Sequence, residues 1–270
     1  MISFDNFSYR YRNKTEKALH GITLRLDTGD ALAVVGPSQS GKTTLAYALA
    51  GLLDGHFPGG ESSGLITLDP SDLTSDRSGV GFVFRDPMLQ LSGATETIEE
   101  EIAFSLEQFG LPQKLIRERI AEQLDLFSLG RLKGRHPLTL SGGETQALVL
   151  ACEAAKHPRL FILDEPARSL DSKSIQQLGN ILLSLKRSCT LILLDERLEL
   201  ALKCCDRVLY LDRGMPRFFG PSAGLLKADI PLSSLELPDW IQVQRSLNRK
   251  DISVSYKETM QWLERLPSSK

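Results

Sequence analysis

The sequence has little excess charge, no long apolar run and no leader-like start. Its 32 basic and 34 acidic residues leave a formal net charge of -2 over 270 residues, a balance that does not recruit nucleic acid or an anionic surface. No apolar stretch approaches the ~20 residues needed to cross a bilayer. The first residues, Met1–Asp5, lack the basic and apolar regions of a secretory signal. We therefore expect no nucleic-acid partner, and any role at a membrane should come through another protein.

Cysteine and histidine are also sparse. The four cysteines, at 152, 189, 204 and 205, form no C-x-x-C pair, and the four histidines are far apart in sequence. This pattern is typical of buried thiols in a reducing compartment and predicts no cysteine or histidine metal site.

The most informative feature present is a phosphate-binding motif. Residues 36–43 read GPSQSGKT, which matches G-x-x-x-x-G-K-[S/T]. The apolar run 31–35 before it predicts a buried strand, and residues 44–50 after it predict a helix, so the motif has the context it requires. Its amides would bind phosphate oxygens at a helix N-terminus. Lys42 would reach the β- and γ-phosphates, and the Thr43 hydroxyl would hold Mg²⁺.

A second motif is an apolar strand that ends in two acids. Residues 160–165 read LFILDE. Behind a phosphate loop in the same α/β core, Asp164 is predicted to be a Mg²⁺ ligand. Glu165 is predicted to polarise the attacking water as a general base.

A third motif, LSGGETQ at 140–146, precedes that strand. Ser141 and Glu144 have the spacing of a helix capping box. The cap does not explain two glycines in a first helical turn, which cost about 1 kcal/mol each relative to alanine. Bare amides at a helix N-terminus form an anion site, so Ser141, Gly142 and Gly143 are predicted to contact a γ-phosphate.

These three motifs, in this order, resemble an ATP-binding cassette (ABC) ATPase over about residues 2–220. The resemblance implies an α/β fold of the P-loop NTPase class, with a parallel-sheet core, an N-terminal antiparallel β part and a helical insertion at about 88–156. It also implies a head-to-tail dimer that encloses two ATP molecules with Mg²⁺. Each site would combine the phosphate loop of one subunit with the LSGGE signature of the other.

The resemblance supplies two more site residues. Tyr11 matches the aromatic residue that stacks on adenine, and Asp171 matches the residue that reaches across the dimer. The predicted nucleotide contacts are then Tyr11, Gly36, Pro37, Ser38, Gln39, Ser40, Gly41, Lys42, Thr43, Thr44, Ser141, Gly142, Gly143 and Asp171. Residues 221–270 are expected to form a helical C-terminal extension to the 1–220 cassette.

Finer details resemble one branch of the family. The stretches VFRDP at 83–87 and EEIAF at 100–104 look like those of the ATPases of energy-coupling factor (ECF) and cobalt/nickel importers. Such ATPases lie at the cytoplasmic face of the membrane and attach to an integral coupling subunit. That subunit carries a capture protein for a vitamin or a metal ion.

Two positions depart from the family pattern. The Q-loop glutamine is replaced by Arg85, which donates hydrogen bonds but never accepts them. The switch histidine is absent, and Glu196 is predicted to take its place, with Asp195 as the one-residue alternative. We hypothesise that Arg85 forms an ion pair with Glu196 or Asp195 beside the γ-phosphate.

These departures predict a subunit that binds MgATP but hydrolyses it slowly at its own site. Arg85, Lys42, Glu165 and Glu196 are the candidate catalytic residues. We favour a heterodimer with a paralogue that keeps the glutamine and histidine, with a homodimer left open. The alternative is a nucleotide-gated structural subunit that completes the paralogue's site without turnover of its own.

Overall fold

The computed structural model describes the chain except for residues 54–56, 58, 69–78, 229, 231–234, 248, 250 and 266–270. The first sheet has three antiparallel strands in the order β2-β1-β4, namely β1 (Ile2–Arg10), β2 (Leu19–Leu26) and β4 (Glu61–Leu68). Strand β4 begins at Glu61, inside a stretch whose glycines and serines predict a loop. Pairing with β1 over residues 61–63 overrides that local preference.

The second sheet has six strands in the order β5-β6-β7-β3-β8-β9. Its members are β3 (Ala31–Val35), β5 (Val80–Val83), β6 (Leu160–Asp164), β7 (Thr190–Asp195), β8 (Arg207–Asp212) and β9 (Met215–Pro221). All neighbours are parallel except β8 and β9. Every residue of β3, β6 and β7 is buried, as expected for parallel strands covered on both faces.

Helices cover this sheet and fill the interval between β5 and β6. They are α1 (Lys42–Ala50), α2 (Ile98–Glu107), α3 (Gln113–Leu126), α4 (Gly142–Ala155), α5 (Ser172–Leu185) and α6 (Leu198–Cys204). Helices α2 to α4 pack on one another around Ile102, Ile120 and Leu148, which are all at least 95% buried. The predicted fold class, a parallel core with an antiparallel N-terminal part and a helical insertion, is confirmed.

Beyond β9 the chain forms a short 3₁₀ helix and then α7 (Asp239–Ser246) and α8 (Tyr256–Leu263). Gln244 of α7 is fully buried and donates hydrogen bonds of 2.8 Å to the Thr259 hydroxyl and 2.9 Å to the Ser253 carbonyl. The bond to Thr259 joins α7 to α8, and the bond to Ser253 joins α7 to the segment that precedes α8. Within the ranges described, no helix is both long enough and apolar enough to cross a bilayer.

Candidate nucleotide-binding site

The phosphate loop connects the buried end of β3 to the start of α1. Gly41 has φ 102°, and a Cβ at this position would lie 2.7 Å from the Ala18 carbonyl oxygen. A Cβ at Gly36 would lie 2.1 Å from the Leu211 carbonyl oxygen. Both glycines are therefore required by close backbone approach, and they give the loop its path around the helix N-terminus.

Lys42 lies across this loop. Its side chain is 6% exposed, and Nζ donates to the carbonyl oxygens of Gly36 at 2.7 Å and Pro37 at 3.0 Å. Burial lowers the pKa of Lys42 from its ordinary value, while the nearby carboxylates of Glu196 and Glu165 oppose that shift. An ammonium group held inside the loop is positioned to contact a bound phosphate chain.

Thr43 and Asp164 meet where α1 starts and β6 ends. The Thr43 hydroxyl donates to Asp164 Oδ2 at 2.9 Å. Asp164 is 3% exposed, and its Oδ1 is buried without a hydrogen-bond partner. Burial raises the pKa of this carboxyl. A buried acceptor left unsatisfied is costly, and a hydroxyl beside a carboxylate is a donor set that Mg²⁺ accepts, so these residues fit a magnesium ion.

Glu165 follows Asp164 in an unusual backbone conformation. Its φ is 49°, and its amide donates to the Leu194 carbonyl at 2.9 Å. A non-glycine residue with positive φ costs of order 1–3 kcal/mol and is held there by its surroundings. The turn places the Glu165 carboxylate, 10% exposed, at 2.9 Å from Arg85 Nε. Arg85 therefore contacts the predicted general base.

The hypothesised pair of Arg85 with Glu196 or Asp195 is wrong for this state of the protein. Glu196 accepts a 2.6 Å hydrogen bond from the Ser38 hydroxyl and lies 3.5 Å from Lys42 Nζ. Arg85 lies beside the end of β6 and pairs with Glu165 there. The Ser38 hydrogen bond is the main cause that lowers the pKa of Glu196.

Asp195 contacts Arg197 and makes no hydrogen bond or ion pair with the described residues of the phosphate loop. It is 3% exposed, and its Oδ1 accepts a hydrogen bond from the Arg197 amide at 3.0 Å. Burial raises its pKa to about 6. Of the two alternatives for the switch position, Glu196 is the one that contacts the phosphate loop.

The signature residues begin α4. Ser141 and Glu144 form both halves of the predicted capping box, with Ser141 N donating to Glu144 Oε2 at 2.8 Å. A Cβ at Gly142 would meet nothing nearer than Ser169 Cβ at 3.9 Å, and the Gly142 backbone does not have a positive φ. The fold of this chain therefore has room for a side chain at Gly142.

Tyr11 and Asp171, the two site residues expected from the family resemblance, each contact neighbouring parts of the chain. The Tyr11 hydroxyl is 3.0 Å from Thr44 Oγ1, and its ring makes an edge contact with Phe57 at 5.2 Å. Asp171 is exposed and caps α5, because its Oδ1 accepts a hydrogen bond from Ser174 N at 2.8 Å. This capping role was not predicted from the sequence, although an aspartate before a helix indicates it.

The structure brings together Ser38, Lys42, Thr43, Arg85, Asp164, Glu165 and Glu196. Among the described residues, no hydrogen bond or ion pair joins the signature residues 141–143 to this cluster. Sequence reasoning missed Gln90, whose amide donates to the Phe82 carbonyl at 2.7 Å and whose Oε1 accepts from Phe84 N at 2.7 Å. Gln90 thereby fixes the strand end that precedes Arg85.

Comparison with known proteins agrees with this geometry. The family model described as ABC transporter matches residues 19–168, more than half of the chain, and the chain therefore belongs to the ABC transporter ATPase family. Members of this family bind ATP and act as dimers with membrane subunits.

Within that family the chain belongs to the energy-coupling factor branch. The energy-coupling factor transporter ATP-binding protein EcfA1 of Thermotoga maritima is 39% identical over 222 residues, which are 81% of each chain. A structure titled as cbiO1 from Clostridium perfringens, part of the ABC transporter complex cbiONQ, superposes with a TM-score of 0.74. It shares 23% identity and covers 97% of this chain and 98% of that one, so it supports the fold alone.

Some other relatives are longer than this chain. A putative ABC transporter ATP-binding protein of Methanosarcina mazei is 37% identical over 222 residues, but the match spans 79% of this chain and only 44% of that protein.

Proposed function

We propose that this chain binds MgATP as one subunit of a dimer and powers import of a small solute, a vitamin or a metal ion, through an integral membrane partner. The observation that carries the proposal is the cluster at the ends of β3, β6 and β7. Lys42, Thr43, Asp164 and Glu165 lie together in this cluster, which supports a role in binding and hydrolysing MgATP. EcfA1, which is named as an energy-coupling factor transporter subunit, supports the importer assignment.

The proposed roles combine these contacts with the family resemblance. Lys42 and the amides of the phosphate loop bind the phosphates, while Thr43 and Asp164 hold Mg²⁺. Mg²⁺, when bound, neutralises charge on the phosphates. Glu165 orients and polarises the attacking water. Ser141, Gly142 and Gly143 close the nucleotide site of a partner subunit, and Tyr11 stacks on adenine.

The chain's own site is proposed to hydrolyse ATP slowly. The Arg85 guanidinium holds the Glu165 carboxylate at 2.9 Å, so the ion pair occupies the carboxylate that would otherwise contact the attacking water. Glu196 also supplies no hydrogen-bond donor at the switch position, where a donor would stabilise the transition state. This arrangement supports a heterodimer with a paralogue that keeps the glutamine and histidine.

The second candidate is a structural subunit without turnover of its own. It is favoured by the same two contacts, Arg85 with Glu165 and Glu196 with Lys42. The two candidates differ only in whether Glu165 turns over ATP in the assembled dimer.

The membrane partner is proposed to dock next to Arg85. Met88 and Leu89, in the 3₁₀ turn just after Arg85, are 47% and 81% exposed, and Phe104 of α2 is 50% exposed. The adjacent exposed side chains of Met88 and Leu89 support an interaction surface at this turn. Docking there would place the chain peripherally at the cytoplasmic face of the membrane. We also propose the division into a 1–220 cassette, with its helical subdomain at 88–156, and a 221–270 extension.

The test is steady-state phosphate release by the purified chain, by its mixture with the paralogue, and by the assembly with the membrane subunit. We expect low activity alone and higher activity in the mixture. A Glu165→Gln variant in the mixture should retain the paralogue's share of the activity and lose its own. Brisk activity of the chain alone would contradict the impaired site, and absence of MgATP binding would refute the proposed function.

A further inference from the structure

The start of the C-terminal extension lies against the loop that carries Glu196. The Glu236 amide donates to the Glu196 carbonyl at 3.1 Å, and the Leu198 amide donates to the Glu236 carbonyl at 3.0 Å. These two bonds form a parallel bridge on either side of Arg197. Leu235, 6% exposed, packs into the main core, so the bridge is anchored from the extension's side.

The same loop contacts the phosphate site through the Glu196 side chain. Its carboxylate accepts the Ser38 hydrogen bond and lies 3.5 Å from Lys42 Nζ. The bridged carbonyl and this carboxylate belong to one residue, so the bridge and the phosphate loop both contact Glu196. The Glu236 side chain is exposed, so its backbone makes the connection.

We propose that Glu236 is a positioning residue whose backbone holds Glu196 against Ser38 and Lys42, so that the C-terminal extension sets the preference of the site for triphosphate over diphosphate. The inference rests on the proposed nucleotide site. When the bridge is intact, the Glu196 carboxylate competes with the γ-phosphate for Lys42 and repels it. When the bridge is broken, the carboxylate relaxes away and the triphosphate is favoured.

The direct test compares Glu236→Pro with Glu236→Ala in the full chain. Proline removes the amide that donates to Glu196, whereas alanine keeps the amide and removes only the exposed side chain. Calorimetry measures the ratio of the dissociation constants for MgADP and MgATP. We expect this ratio to rise about twofold to fivefold with proline, up to the value expected when the Glu196 charge itself is removed, and to stay at the wild-type value with alanine. Equal ratios in the two variants would overturn the inference.

A double-mutant cycle tests the route of the effect. In a Glu196→Gln background the proline substitution should no longer change the ratio, because the charge that the bridge positions is gone. An undiminished effect in that background would overturn the inference. Failure of the wild-type chain to bind MgATP would instead refute the proposed function, so the two failures are distinguishable.

A measurement on the wild-type chain applies if Glu236→Pro does not fold. Hydrogen exchange is followed at the amides of Glu236 and Leu198 and across residues 36–43, with and without MgATP. We expect MgATP to change exchange at both bridge amides together with protection of the loop. Protection of the loop with no change at either bridge amide would overturn the inference.

Discussion

Replacing Glu196 with glutamine tests whether its carboxylate weakens triphosphate binding. The carboxylate lies 3.5 Å from Lys42 Nζ, the group expected to hold the γ-phosphate. Two unit charges about 5 Å apart repel by roughly 3 kcal/mol at an effective dielectric of 20 and by roughly 1 kcal/mol in bulk water. Because the Glu196 side chain is 36% exposed, solvent screening favours the lower figure.

A repulsion of about 1 kcal/mol corresponds to roughly a fivefold change in affinity. We therefore expect Glu196→Gln to bind MgATP about fivefold more tightly relative to MgADP, measured by calorimetry. The Ser38 hydrogen bond lowers the pKa of Glu196, so the carboxylate stays charged until the pH falls through that lowered value. Mild acidification should therefore not reproduce the substitution.

Asp195→Asn is the matched control, because it removes a carboxylate from the adjacent residue, which does not contact the loop. Its effect on the ratio of MgADP and MgATP dissociation constants should be small. If Glu196→Gln leaves the ratio at the wild-type value, or strengthens MgADP as much as MgATP, the electrostatic reasoning is refuted.

Three further predictions concern other parts of the site. Arg85→Gln frees Glu165 from its ion pair, so phosphate release by the assembled dimer should rise severalfold. Arg85→Lys keeps the charge and should resemble wild type. Equal rates for the two variants would contradict the inference that the ion pair slows hydrolysis. Ser141→Ala removes the α4 cap and should lower the free energy of unfolding by about 1 kcal/mol, seen by urea denaturation, with Ser141→Thr as the control. The folded pKa of Asp195 is raised by burial to about 6, so its contribution to stability is complete below the ordinary aspartate pKa and is lost as the pH rises through about 6. Asp195→Asn should therefore flatten the pH dependence of unfolding between about pH 4 and pH 6, and an unchanged slope would contradict that assignment.

The fold could be predicted from the sequence because its motifs depend on local pattern. The run at 31–35, the glycine loop and the strand that ends in Asp164 each combine periodicity with a chemistry that requires one arrangement. Strand β9 was not predicted, since it pairs antiparallel with β8 at the sheet edge. Its sequence contains two prolines and a glycine, which do not indicate a strand.

The partners of the charged residues could not be predicted in the same way. The sequence positions of Arg85 and Glu196 predicted that both lie near the γ-phosphate. They did not indicate which carboxylate Arg85 contacts. The left-handed turn at Glu165 decides that question by presenting its carboxylate to Arg85. Similarly, Ser38 engages Glu196 across 158 residues, a contact that no local pattern records.

The open space around Gly142 means that the fold of this chain does not itself require glycine at that position. With 3.9 Å to the nearest neighbour of a Cβ, a methyl group there would leave the isolated subunit intact. In the proposed dimer, the nucleotide of the partner subunit would occupy the space that a side chain at Gly142 would fill. Gly142→Ala should therefore not lower the stability of the lone chain, and its effect should appear first in the partner's turnover.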